Sequence, residues 1–112
     1  GTDKVTDFLA VDDKISFNDV AGTANNYRES NVNGSDGNGT TNIATSGFIS
    51  AADQAHGEGQ NNGIRYFFGA DTLSANGYLS FDIDSNAYID ANIVVVLQVL
   101  NNLTGFDFNN II

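Results

Sequence analysis

The chain contains no cysteine, so neither disulfide bridges nor thiolate metal sites are available to it. Methionine is absent too, even at position 1, which indicates a mature or excised piece of something longer. No signal segment and no run of apolar residues long enough to span a bilayer is recognisable. With 112 residues, the sequence predicts a single domain over residues 1–112 that does not insert into a membrane.

Positive charge is scarce as well. Four Lys and Arg residues stand against 14 Asp and Glu residues, which gives a formal net charge of −10. Nucleic-acid binding needs clustered Lys and Arg side chains to neutralise the phosphates, so the composition argues against it. The same charge argues against attraction to anionic membranes. A divalent cation is the partner that such an acidic surface accepts most readily.

The strongest pattern in the chain covers residues 77–97 and predicts two strands joined by an acidic turn. In the first strand Leu79, Phe81 and Ile83 alternate with polar residues, which is typical of a strand with one apolar face. Residues 93–97 form an unbroken, largely β-branched apolar run, which is typical of a strand covered on both faces.

The acidic turn between these strands is the candidate metal site. Oxygen-bearing residues occupy every second position: Asp82, Asp84, Asn86, Tyr88 and Asp90. They match positions 1, 3, 5, 7 and 9 of an EF-hand-like calcium loop, with Tyr88 offering its backbone carbonyl. Position 6 is alanine instead of glycine, and position 12 is isoleucine instead of glutamate. The alternative is therefore a plain polar turn whose Asp and Asn side chains bond their own backbone.

Further strands are predicted elsewhere along the chain. Two short strands flank a tight turn at Asp12–Asp13, and a weak strand or helical turn lies near residues 27–32. Residues 64–68 form another strand. A strand over residues 72–75 then meets Asn76–Gly77, which is a strong two-residue hairpin signal.

One helix is predicted, around residues 47–56. A capping box from Ser50 to Asp53 marks its start, and Gly57 marks its end. His56, the single imidazole of the chain, is expected to be exposed at the helix end and stabilised by the negative pole there. No nucleophile-elbow, zinc or phosphate-loop spacing occurs, so we expect no enzymatic activity.

Together these patterns predict a mainly β fold: a small antiparallel β-sandwich or β-roll-like domain of roughly six or seven strands with one short helix. Tyr66, Phe67 and Phe68 are interpreted as the two faces of a core strand, with an aromatic ligand platform as the alternative. The expected core comprises Val5, Phe8, Ile15, Phe17, Ile64, Tyr66, Phe68, Leu79, Phe81, Ile83, Ile93, Val95 and Leu97.

Three segments resemble the C-terminal region of RTX proteins, including the serralysin-type proteases. Residues 2–17 are similar to the "D-x-I-x-D-F … G-x-D-K-I-D-L" segment that follows the calcium-binding repeats. Residues 78–97 resemble "L-x-x-D-x-D-G-N-G-x-x-D … I-x-L-x-G-V", and residues 103–112 resemble the terminal "L-x-x-x-D-F-x-x-hydrophobic" tail. The tandem Gly-rich repeats themselves are missing, so the chain would correspond to the flanking region.

In that family the region beyond the repeats caps a β-roll and carries an uncleaved C-terminal signal for type I secretion. The resemblance implies a non-catalytic, monomeric C-terminal module of a bacterial protein that is secreted or lies at the cell surface. It would support type I secretion and calcium-assisted folding, with calcium and the export machinery as partners. The alternatives are a cell-surface adhesion or carbohydrate-binding module, with Tyr78 and Tyr88 as the residues to test, and a small hydrolase with paired carboxylates.

Overall fold

The computed structural model describes residues 2–6, 8–9, 12–32, 46–57, 59–60, 62–71, 76–82, 94–98, 100 and 102–112. These ranges contain one α-helix, α1, which spans Ser46–His56, and a single 3-10 turn at Phe108–Asn110. The strands are β1 (Thr2–Val5), β2 (Tyr27–Val32), β3 (Tyr66–Asp71), β4 (Asn76–Phe81) and β5 (Val94–Gln98). The prediction of a mainly β fold with one short helix is confirmed.

The five strands form one mixed sheet in the order β1-β5-β4-β3-β2. The central pairs β3–β4 and β4–β5 are antiparallel, whereas β2 pairs with β3, and β1 with β5, in parallel. The antiparallel prediction therefore holds only at the centre of the sheet. Parallel pairing of β2 with β3 needs a long crossover, and the segment that contains α1 provides it. All the described strands belong to this one sheet, so a sandwich is not confirmed.

One face of the sheet carries the main core. Because side chains alternate along a strand, Phe68 on β3, Leu79 on β4 and Leu97 on β5 share this face, and all three are fully buried. Four of the predicted core residues are partly buried against them: Val5, Phe8, Ile15 and Phe17. Ile64, Tyr66, Phe81 and Val95 are buried as predicted. Ile83 and Ile93 lie outside the described residues.

Helix α1 covers the opposite face. Phe48 is fully buried, and its ring centroid lies 5.8 Å from that of Phe67 and 5.4 Å from that of Tyr78. The helix ends at Gly57, as predicted, with φ at 105° and its N–H donating to the Asp53 carbonyl. The predicted range of about 47–56 is confirmed, because the helix begins at Ser46 and ends at His56. The predicted capping box is wrong, because Ser50 lies inside the helix. Within the described ranges no helix is both long and apolar enough to cross a membrane.

The predicted hairpin turn at Asn76–Gly77 is wrong, because both residues belong to strand β4. Gly77 is required there by packing: a Cβ atom would lie 2.3 Å from the Leu100 carbonyl oxygen and 2.5 Å from the Phe68 ring. Glycine in a strand often marks such a close approach. The strand predicted over residues 72–75 lies outside the described residues.

The C-terminal segment lies across the main core. Ile111 forms a parallel bridge with Ile15, and its carbonyl accepts a hydrogen bond of 2.9 Å from the Gly22 N–H. The Ile15 N–H in turn donates to the Asn110 carbonyl at 2.7 Å. The Asp107 side chain caps the 3-10 turn, and the Asp107 N–H in turn donates to Asn110 Oδ1 at 3.0 Å. The end of the chain is therefore held in place by residues 15–22.

Candidate functional site

Asp82 opens the predicted acidic loop and is the one member of the candidate metal site that the structure describes. It directly follows β4, is only 3% exposed, and its N–H donates to the Arg65 carbonyl at 2.9 Å. Ser80 pairs with Val94 across β4 and β5, so the two strands that flank the loop lie side by side. Asp84, Asn86, Tyr88 and Asp90 lie outside the described residues.

Calcium binding at this loop stays a prediction. Ca²⁺ takes 6–8 oxygen ligands, and of the predicted set only the Asp82 carboxylate is described. In the described ranges no group of three or more His, Asp or Glu side chains could hold a metal ion. Asp82 lies directly after the last residue of β4, at the first position of the predicted loop.

An ion pair lies next to the base of the loop. Arg65 Nη2 contacts Asp19 Oδ2 at 2.5 Å, and the guanidinium lies 5.3 Å from the centre of the Phe81 ring. The Val20 N–H, and then the Arg65 side chain, lower the pKa of Asp19 from its ordinary value. The pair connects the segment before β2 to the segment before β3, on the same side of the sheet as Phe81.

The aromatic residues proposed for ligand contact are in the core. Tyr66 and Phe68 are fully buried, and Phe67 is 2% exposed, so their interpretation as a core strand is confirmed. Tyr78 is also fully buried, beneath α1. It is therefore unavailable to a glycan at the surface. Tyr88 lies outside the described residues.

His56 was predicted to be exposed, and this is wrong: the side chain is 1% exposed. Its Nδ1 lies 2.9 Å from the Ile64 carbonyl oxygen, and its Nε2 lies 2.9 Å from Ser80 Oγ. Since a carbonyl oxygen can only accept, Nδ1 must carry a proton and donate it. Phe48, Ala52 and His56 are spaced by four residues, so they lie on one stripe of the helix, and all three are buried. This spacing is the signal in the sequence that could have predicted the burial of His56.

The distance between Ser80 and His56 is that of a nucleophile and its base. However, Ser80 is fully buried between the sheet and α1. The contact between His56 and Ser80 connects the last turn of α1 to strand β4. The other ring nitrogen of His56, Nδ1, connects the same turn to the Ile64 carbonyl. The pair of His56 and Ser80 therefore holds α1 in position against the sheet.

We expect His56→Leu to reduce the free energy of unfolding by about 2 kcal/mol, because it removes the imidazole partner of the buried Ile64 carbonyl and leaves the buried Ser80 hydroxyl with a longer bond, of 3.4 Å, to the Phe67 carbonyl. Urea denaturation measures this loss. The double variant with Ser80→Ala should lose less than the sum of the two single variants, since they share one contact. Gln54→Leu, at an exposed position of the same helix, is the control. Equal stability of His56→Leu and the control would contradict a structural role for the imidazole.

Compared with protein-family models, curated proteins and solved structures, the chain has no match. The resemblance to the C-terminal region of RTX proteins therefore rests on the three segments in residues 2–17, 78–97 and 103–112.

Proposed function

We propose that this chain is the non-catalytic C-terminal module of a secreted, RTX-like protein, and that it supports type I secretion and calcium-assisted folding. The observation that carries the proposal is the position of the C-terminal segment. The tail that resembles an export signal is also a structural part of the folded domain.

Two apolar side chains of the tail are hidden once the domain has folded. Phe106 and Ile111 are each 1% exposed. Ile15 forms backbone hydrogen bonds with the residues before and after Ile111, and the Gly22 N–H donates to the Ile111 carbonyl. An exporter that recognises apolar side chains near the C-terminus can reach these two only before the fold forms. Folding would therefore remove these two side chains from an exporter that recognises them.

The charge of the chain supports a folding step that depends on calcium. With a net charge of −10, the carboxylates repel each other and oppose the compact state. Asp82 is held at the head of the loop by its backbone bond to Arg65, close to the central strand pair. Bound calcium would add its binding free energy to folding, since the unfolded chain offers no preformed site.

Deleting residues 103–112 should abolish export from bacteria that carry a type I exporter. The measurement is the fraction of the chain recovered in the medium. Phe68→Ala is the matched control, because it weakens the same core but leaves the tail sequence intact, and it should still be exported. Export of the deleted chain at the level of the intact one would contradict the proposal.

Calcium should raise the melting temperature of the purified chain, and Asp84→Asn should abolish the rise. At a concentration 100 times its dissociation constant, an ion stabilises the fold by about 2.7 kcal/mol. Melts in calcium and in chelator, with a calorimetric titration, measure both effects. Asp12→Asn removes the same charge from an exposed turn and should retain the response. Equal responses in the two variants would indicate charge screening instead of a site.

A further inference from the structure

A cavity of about 290 Å³ lies between α1 and β2, one of the two edge strands of the sheet. It is formed by side chains from three elements. Its lining includes Arg28, Ser30, Ala51, Gln54, Ala55 and Phe67. Among the described residues, neither Asp82 nor any residue of the C-terminal segment lines the cavity, so an inference drawn from it does not depend on export.

The walls of the cavity are fixed by the fold. Ala51, Gln54 and Ala55 lie on one face of α1, since residues three and four apart are neighbours on a helix. Phe67, 2% exposed, forms an apolar base beneath them. At the rim, Asn62 donates to the Ala55 carbonyl at 2.9 Å and accepts from the Ile64 N–H at 3.0 Å. These contacts shape the cavity before any ligand enters.

A guanidinium group lies at this cavity. Arg28 is paired in register with Phe67, and side chains at paired positions lie on the same face of a sheet. One of its five N–H groups donates to the Tyr27 carbonyl at 3.2 Å. Within the described ranges the Arg28 guanidinium forms no salt bridge, since the ion pair found there joins Arg65 to Asp19.

The neighbouring acid, Glu29, does not pair with the Arg28 guanidinium, because the two side chains belong to opposite faces of the sheet. Glu29 contributes to the cavity's edge, but it is in register with Phe68, which places its side chain toward the opposite face. There burial, followed by the charge of Asp107, raises the pKa of Glu29. The Phe67 face of β2 therefore presents Arg28 and Ser30 to the cavity.

We propose that the cavity binds one acidic sugar unit, a uronate. Arg28 holds its carboxylate through paired N–H donors, the geometry in which arginine recognises carboxylates. Ser30 and Gln54 bond the ring hydroxyls, while Ala51, Ala55 and Phe67 contact its C–H groups. The volume is at the lower end of ligand cavities and suits one ring. The net charge of −10 disfavours polyanions, so a ligand with one carboxylate fits best.

The test is a titration of the full chain with glucuronate, followed by NMR of the backbone amides. We expect saturable shifts at Ser30, Gln54 and Ala55, with a dissociation constant of about 1 mM, as suits a ligand of this size. Arg28→Gln should weaken binding at least roughly tenfold, the scale of a lost charge-assisted bond. Lys14→Gln removes the same charge at the Asn109 carbonyl and should leave the affinity unchanged.

Glucose and inorganic sulfate are the two comparison probes. Glucose lacks the carboxylate and should bind at least about tenfold more weakly than glucuronate. Sulfate lacks the ring and should also bind more weakly. The proposal is overturned if glucuronate produces no saturable shifts, if sulfate binds as tightly, or if Arg28→Gln and Lys14→Gln weaken binding equally. Melting curves of both variants confirm that their folds are intact.

Discussion

Phe106→Ala should reduce the free energy of unfolding by about 4 kcal/mol, because it empties a site in the main core. The ring is 1% exposed, and its centroid lies 5.0 Å from that of Phe68, 5.4 Å from that of Phe8 and 6.3 Å from that of Tyr27. The substitution thus removes contacts that join the C-terminal segment to β3, to the N-terminal segment and to β2. A domain of this size is stable by about 5–15 kcal/mol, so the loss is a large share of the total.

Urea denaturation of Phe106→Ala measures this loss directly, and Ile112→Ala is the matched control. Ile112 lies in the same segment but is 57% exposed, so its truncation should change stability by no more than about 0.5 kcal/mol. The two variants distinguish a docked tail from a loosely attached one. Similar, small effects from both would contradict the docked position of the segment.

Gly77→Ala should destabilise the domain by about 3 kcal/mol, although it adds a single methyl group. The new Cβ atom would lie 2.3 Å from the Leu100 carbonyl oxygen and within 2.6 Å of two Phe68 ring atoms. A backbone carbonyl cannot turn aside as a flexible side chain can, so β4 or the segment at Leu100 must move. The midpoint of chemical denaturation reports the change.

Gly63→Ala is the control for this substitution. A Cβ atom at Gly63 would meet nothing within 4 Å, but the residue has a φ of 83°. Alanine there should cost about 1 kcal/mol through backbone strain alone. If Gly77→Ala were no more harmful than Gly63→Ala, the close approach between β4 and the segment at Leu100 would be contradicted.

The features that local patterns control could be predicted from the sequence. Alternation at Leu79 and Phe81 indicated β4, the apolar run indicated β5, and Gly57 ended the helix where predicted. Local patterns could not predict contacts between segments that are distant in the sequence. Asn76–Gly77 has the composition of a turn, yet the approach of Leu100 makes glycine necessary inside a strand. The parallel pairing of β1 with β5 likewise joins opposite ends of the chain.

The candidate sites likewise divide into one that a local pattern predicts and others that form only when distant segments meet. The spacing of the acidic loop is a local pattern, and the structure describes only its first residue, Asp82. The cavity could not be predicted, because Arg28 and Gln54 belong to a strand and a helix far apart in sequence and meet only in the folded chain. The pairing of His56 with Ser80 depends in the same way on the helix docking over β4.

The bridge between Ile15 and Ile111, together with the pairing of β1 with β5, has a kinetic consequence. Both contacts close almost the full length of the chain, and such long closures slow folding because their entropy must be lost before the contacts form. An incomplete chain lacks one member of each pair. It cannot complete the five-stranded sheet until both ends are present and free to meet.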